Sequence, residues 1–238
     1  MHKYILLSTL QSTGTWWVID ALRKHPDIGG LAHTNNLMAL QNGWVLRDGW
    51  TGNPHNEALA PAGKFTLLYE HYGAVQSPFY RWYPQSAQES MMLVVPTLSP
   101  LRDPLLCMIR AWHREPPLYP YDWLLDAWIN IANKGETLGV KFWRMDPFDQ
   151  QGFVNAIVGV GLSPGYPQYH YDWLDSLKPA ERINNTPGEC DLRVDYANFD
   201  TVALQKKLPG PWRRLKESQP VLRPFLEKYG FTNLLWWD

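Results

Sequence analysis

The chain opens on a short apolar run, Tyr4-Ile5-Leu6-Leu7-Ser8-Thr9-Leu10, whose nearly unbroken hydrophobicity reads as a buried strand. Gln11-Ser12-Thr13-Gly14-Thr15 interrupts it with small polar residues and a glycine, a turn signal. From Trp16 to Lys24 apolar residues recur at 17, 18, 21 and 22, the spacing of a helix laid on a sheet. Arg23, Lys24 and His25 suit the negative end of that helix, and Pro26 stops it. The first unit is therefore strand, polar glycine-containing loop, helix.

The same reading carries along the chain. Residues 27–62, rich in Gly, Asn and Pro, read as loop with short helical pieces. Lys64 to His71 predicts a second strand and Met91 to Pro96 a third. Leu101-Arg102-Asp103-Pro104 breaks the chain before a helix over Leu105 to Arg114. Tyr121 to Lys134 predicts an amphipathic helix, Gly139 to Trp143 a fourth strand, and Pro147 to Gly159 the next helix. Residues 163–190 read as another loop, followed by helices over parts of 198–207 and 219–229 with Gly230 as cap. Strands alternating with helices predict a three-layer α/β fold, a mainly parallel sheet flanked by helices. No repeat, low-complexity tract or linker divides the chain, so residues 1–238 read as one domain.

Composition narrows the function classes. A net charge of -1 and a pI near 6.7 argue against a general nucleic-acid or membrane-surface binder, which needs a basic face. A local group of Arg and Lys still suffices for a small anion. No stretch approaches the ~18 apolar residues of a membrane span. Cys107 and Cys190 show no CxxC spacing, and the apolar run after Met1-His2-Lys3 is too short for a signal peptide. These features predict a soluble, cytoplasmic protein. His, Asp and Glu show no paired ligand spacing, so no catalytic metal is expected. The thirteen tryptophans and twenty prolines suggest an aromatic core with rigid loops, some of the tryptophans lining a cleft.

The first loop carries the clearest chemistry. A loop that leaves a buried strand and opens a helix aims backbone N–H groups and the positive helix end at one point, a place for phosphate or sulfate. Gly14 allows close approach, and Ser12, Thr13 and Thr15 offer hydroxyl donors. GxxxxGK[ST] is absent, so this is not a Walker A loop. An ordinary strand-to-helix turn with a threonine cap is the plain alternative.

Ser12-Thr13-Gly14-Thr15-Trp16-Trp17 resembles the 5′-phosphosulfate loop of the sulfotransferase family, and Leu101-Arg102-Asp103-Pro104 resembles its 3′-phosphate segment. Lys206 to Arg214, with Trp212, Arg213 and Arg214, is similar to the family's late basic loop. Gly139 to Asp146 and Phe225 to Phe231 look like its later strand and terminal helix. The resemblance implies a P-loop-like sulfotransferase fold that uses 3′-phosphoadenosine 5′-phosphosulfate (PAPS) as cosubstrate. Residues 12–16 would hold the 5′-phosphosulfate, Arg102 and Arg110 the 3′-phosphate, and the 206–214 segment the adenosine side. The acceptor would be a hydroxyl or amine on a small or glycan-like molecule. His71 would be the general base, with Glu70 as alternative; neighbours on a strand point to opposite faces, so only one faces the cleft.

The departures from the family pattern are specific. Ser12 stands where the family carries a Lys or Arg, Arg110 where it carries Ser, and Tyr69-Glu70-His71 where it carries Lys-x-His. Arg110, Arg213 and Arg214 are the candidates to supply the missing cation. Two rival readings follow: a non-catalytic nucleotide-binding or interaction protein on the same fold, and another P-loop-type phosphotransferase.

Overall fold

A strand that is apolar on both faces needs helices on both sides of its sheet, and the computed structural model places them there. It describes residues 3–10, 13–42, 57–73, 85–108, 121–145, 147–164, 202, 205–206, 209–234 and 236–237. In chain order these form β1 (Lys3–Thr9), α1 (Thr15–Arg23), β2 (Ile28–His33), a 3-10 turn (Thr34–Asn36), α2 (Leu37–Gln41) and β3 (Phe65–His71). There follow α3 (Gln85–Val94), β4 (Thr97–Leu101), a helical turn at 104–108, α4 (Tyr121–Lys134) and β5 (Lys141–Arg144). The last elements are α5 (Gln150–Gly159), α6 (Pro209–Glu217) and α7 (Gln219–Lys228).

The sheet order is β2-β3-β1-β4-β5, and every pairing between these strands is parallel. β1 is central, in register with β3 from Lys3↔Phe65 to Thr9↔His71 and with β4 at Leu6↔Thr97 and Leu7↔Leu98. Alternation along the strands sends Ile5, Leu7, Leu67, Leu98 and Trp143 to one face, where they meet Val18, Ile19 and Leu22 of α1 and Phe153 and Ile157 of α5. Leu6, Leu68, Leu101 and Phe142 turn to the other face, against α3, α4, α6, α7 and the segment after Gly230. The expected three-layer α/β architecture is thus present, with a separate apolar core on each side of one parallel sheet.

Two elements differ from expectation for physical reasons. Gly29-Gly30 reads as loop, yet both glycines lie in β2, on the edge of the sheet beside β3. Leu31 exchanges two backbone hydrogen bonds of 2.9 Å with Ala58, which draws the 58–60 segment onto the strand. A Cβ on Gly30 would lie 2.3 Å from the Ala60 nitrogen and 2.6 Å from the Ala58 oxygen. Glycine is there for close backbone approach rather than for a turn. Gly30→Ala is therefore expected to destabilise the protein by about 1–3 kcal/mol, the usual cost of forced overpacking, read as a lower urea midpoint at unchanged slope.

The second difference concerns the apolar run expected as a strand over Met91 to Pro96. Residues to Val94 belong to α3, and the strand begins at Thr97. Met92 is buried, whereas Leu93 and Val94 are 65% and 79% exposed, so the run has a one-sided helical face. Pro100 lies within β4, where a proline usually argues against a central strand. The ladder to β1 ends at Leu98, so one flank of Pro100 has no pairing to lose. Gly230 caps α7 as expected, its φ of 79° being the left-handed turn that ends the helix, and the expected helix over 105–114 is described only as far as residue 108. The expected loop at 163–190 lies outside the described residues beyond residue 164, as does most of 198–207.

Candidate functional site

In an open parallel sheet, ligands bind beyond the carboxyl ends of the strands where the winding reverses. Here the reversal flanks β1. The chain leaves β1 into α1 on one face, and leaves β4 toward α4 on the other. The exit of β1 has the end of β3, with His71, on one side and the end of β4, followed by Arg102, on the other. The first loop and the Arg-Asp-Pro turn therefore follow adjacent parallel strands.

The loop is closed by its own side chains. Gly14 adopts φ 93° and ψ 31°, a left-handed conformation that would strain any side chain at the first position before α1. Thr13 Oγ1 donates to the Leu10 carbonyl at 2.6 Å, and the Thr13 N–H reaches the same oxygen at 3.3 Å. Thr15 Oγ1 donates to Thr9 Oγ1 at 2.9 Å. Two of the three hydroxyls expected to face an anion, those of Thr13 and Thr15, are thus used inside the turn. What remains to meet an anion is backbone: the first-turn N–H groups of an α-helix have no intrahelical acceptor, and the positive end of the helix lies there. Ser12 and the side chain of Trp16 lie outside the described residues.

His71 and Glu70 separate as strand alternation requires. His71 Nδ1 lies 2.9 Å from Thr9 Oγ1, which joins it to the loop through Thr15. Glu70 is buried and turned the other way. Its Oε2 accepts the Thr34 hydroxyl, its Oε1 accepts the His71 backbone N–H at 2.9 Å, and His33 Nε2 stands 3.7 Å from Oε1. His33 Nδ1 accepts the Asn35 N–H at 3.2 Å, so a neutral His33 carries its proton on Nε2, facing the carboxylate. Glu70 is engaged in tying the turn after β2 to the end of β3. Its sequence neighbour His71 is the one joined to the first loop. His33 belongs to this buried polar cluster.

A second polar cluster braces the segment just past His71. Gln88 Nε2 donates to the His71 carbonyl at 3.2 Å, and Gln88 Oε1 accepts the Gly73 N–H at 3.2 Å. One turn position on, Glu89 Oε1 accepts from Tyr72, Gln85 and Lys134 at 2.9–3.0 Å. Burial raises the Glu89 carboxyl, but hydrogen bonds from Gln85, Lys134 and Tyr72 outweigh it and hold the group below the usual carboxylate range. A depressed folded-state pKa gives stability that is present above the unfolded value, about 4.3 for Glu, and lost as pH falls through the folded value. Glu89→Gln should therefore lower the thermal midpoint at pH 7 and shrink the loss on acidification below about pH 4. Calorimetric scans of both proteins across that range would check it.

Beyond β4, Arg102 and Asp103 are both buried. Asp103 Oδ1 accepts the Leu105 N–H at 2.8 Å and the Trp236 indole N–H at 2.9 Å. The 206–214 segment expected as a basic loop is helical from Pro209 onward. Trp212 packs on the core, Arg213 Nε is 3.8 Å from Glu217, and Arg214 pairs with Asp126 of α4. Arg110 lies outside the described residues. Among the described residues, the first loop and His71 are joined through Thr9, Arg102 follows the adjacent strand β4, and α6 packs instead on α4 and α7.

No group of three or more His, Cys, Asp or Glu side chains among the described residues could hold a metal ion. No helix among them is long and apolar enough to cross a membrane.

No protein-family model matches the chain, and no curated protein matches it. Among solved structures, a gluconokinase from Sinorhizobium meliloti 1021 aligns with 74% of this chain and 97% of its own length. The identity is 12% and the TM-score 0.35, a likeness too slight to carry function.

Proposed function

We propose that the chain binds a phosphorylated nucleotide at the exit of β1 and transfers a group from it, and that the group is the sulfonate of PAPS. The observation that carries this reading is the link Thr15–Thr9–His71, which joins the loop before α1 to a histidine ring nitrogen. The resemblance of residues 12–17 and 101–104 to sulfotransferase segments supplies the donor. The first-turn N–H groups of α1 hold the 5′-phosphosulfate, and Arg102 the 3′-phosphate, its fork matching two oxygens.

In the reaction the acceptor oxygen bonds to sulfur while its proton passes to His71. The bond from sulfur to the bridging phosphate oxygen breaks, and that electron pair leaves on adenosine 3′,5′-bisphosphate. Backbone dipoles carry the leaving-group charge that a loop lysine would otherwise meet.

The second reading is nucleotide binding without turnover. It is favoured by Ser12 and by the acidic partners of Arg213 and Arg214. Calorimetric titration with PAPS, adenosine 3′,5′-bisphosphate and ATP with Mg²⁺ separates the readings, followed by labelled-sulfonate transfer to a panel of hydroxyl and amine acceptors. Binding of the bisphosphate with transfer supports the proposal, and binding without transfer supports the second reading. Binding of ATP with Mg²⁺ alone replaces both with a phosphotransferase.

A further inference from the structure

Strand β3 outruns one of its neighbours. Its ladder with β2 ends at His33↔Tyr69, where the chain turns into the 3-10 element at Thr34. Its ladder with β1 continues to Thr9↔His71. Backbone groups of successive strand residues point to opposite edges of the strand. The Tyr72 N–H reaches the Thr9 carbonyl of β1 at 2.9 Å, so the polar groups of His71 and the Gly73 N–H point to the edge where β2 has stopped. Backbone groups within a fold are seldom left without partners, and here side chains supply them. Glu70 Oε1 accepts the His71 N–H at 2.9 Å. One buried amide from α3 takes the next two groups: Gln88 Nε2 donates to the His71 carbonyl and Gln88 Oε1 accepts the Gly73 N–H, both at 3.2 Å. A carbonyl only accepts and an N–H only donates, so these two contacts also fix which way round the amide lies. In a parallel sheet a single residue of the adjacent strand makes this same pair of bonds. The Gln88 side chain therefore stands where β2 would have continued. The chain beyond has little room to shift, because Gly73 turns off at φ 75° and a Cβ there would lie 2.7 Å from Ala127 Cβ of α4.

We infer that Gln88 is a positioning residue for the proposed reaction, a surrogate strand residue that clamps the backbone on both sides of Tyr72 and so fixes the end of β3 that presents the His71 ring. The ring itself meets the loop before α1 through Thr9 Oγ1. Slack in the backbone beneath it would change that approach, and a misplacement of about 1 Å can cost about 10²-fold in rate. The link to catalysis rests on the reading of His71 as the base; the clamp does not.

Backbone amide hydrogen exchange of the full chain reads the clamp directly. In the wild type the Gly73 amide should be protected to within about tenfold of the Tyr72 amide. Gln88→Met keeps the side-chain length and removes both polar arms. It should lower Gly73 protection about tenfold or more and leave Tyr72, whose partner is the Thr9 carbonyl, unchanged. In transfer assays the same variant should lower kcat about tenfold or more with the donor KM within about twofold. Placed on His71→Gln, it should add less than about twofold to the loss already present, because a residue that acts through His71 then has nothing to act on. Free exchange of Gly73 in the wild type overturns the inference, even if no variant folds. So does Gly73 protection that survives Gln88→Met. A loss that multiplies with that of His71→Gln overturns it too, and makes Gln88 a general support of the fold. If the chain neither binds PAPS nor transfers sulfonate, the proposed function falls, and Gly73 exchange still decides whether the clamp exists.

Discussion

His71→Gln is expected to reduce kcat for group transfer by about 10²–10⁴, the usual contribution of a positioned general base. Glutamine is near the size of histidine and keeps an amide donor for Thr9 Oγ1, but it cannot accept a proton near neutral pH. Donor affinity should stay within about twofold, because the reading assigns the nucleotide to backbone N–H groups and Arg102 rather than to the imidazole. The paired measurements are single-turnover rates and calorimetric binding of adenosine 3′,5′-bisphosphate. A variant that loses binding and rate together would mean that His71 shapes the loop and does not act on the proton. Glu70→Gln makes the contrasting case. That side chain accepts from Thr34 and His71 and faces His33, so its loss should appear in the unfolding midpoint more than in the rate.

The second large effect is structural. Trp236→Ala should cost about 3–5 kcal/mol, the range for removing a fully buried large aromatic. Trp236 has no exposed surface, and its indole N–H is the partner of the buried Asp103 Oδ1. Trp236→Phe keeps most of the ring and isolates the polar part. Leaving Asp103 one partner short should cost about 1–3 kcal/mol. Trp128 provides the internal comparison. It is equally buried, but among the described residues its indole N–H has no hydrogen-bond partner. Trp128→Phe removes an unsatisfied donor, so its cost should be the smaller of the two. Urea unfolding of both phenylalanine variants decides the matter, and equal losses would mean that the bond to Asp103 contributes nothing.

The first strand, loop and helix were legible because local signals agree there: an apolar run, then Gly14, then apolar spacing ended by Arg23 and Pro26. The helices at 121–134 and 219–228 were legible for the same reason. What escaped depends on partners far along the chain. Gly29-Gly30 reads as a turn until the 58–60 backbone is seen lying against it. Pro209-Gly210-Pro211 reads as a loop, yet prolines suit a first helical turn, where an N–H has no acceptor to lose. In the site, residue types were visible and proton directions were not. Thr13 and Thr15 look like donors to a ligand, and only the folded turn reveals that their hydroxyls point inward. His33 gave no signal, because its partner is set by the register of β2 against β3.

The bond between Trp236 and Asp103 also bears on when the protein can become competent during synthesis. Its two ends are 133 residues apart. The strands of the sheet are all complete by Arg144, so a nascent chain can assemble them while later residues are still being added. The turn that follows β4 would stay without its indole partner until the segment after Gly230 has emerged. Contacts of such long separation form slowly. The loop before α1 should therefore be ordered early and the turn at Arg102 last, so that a stalled or shortened chain would display an otherwise formed sheet with that turn still unbraced.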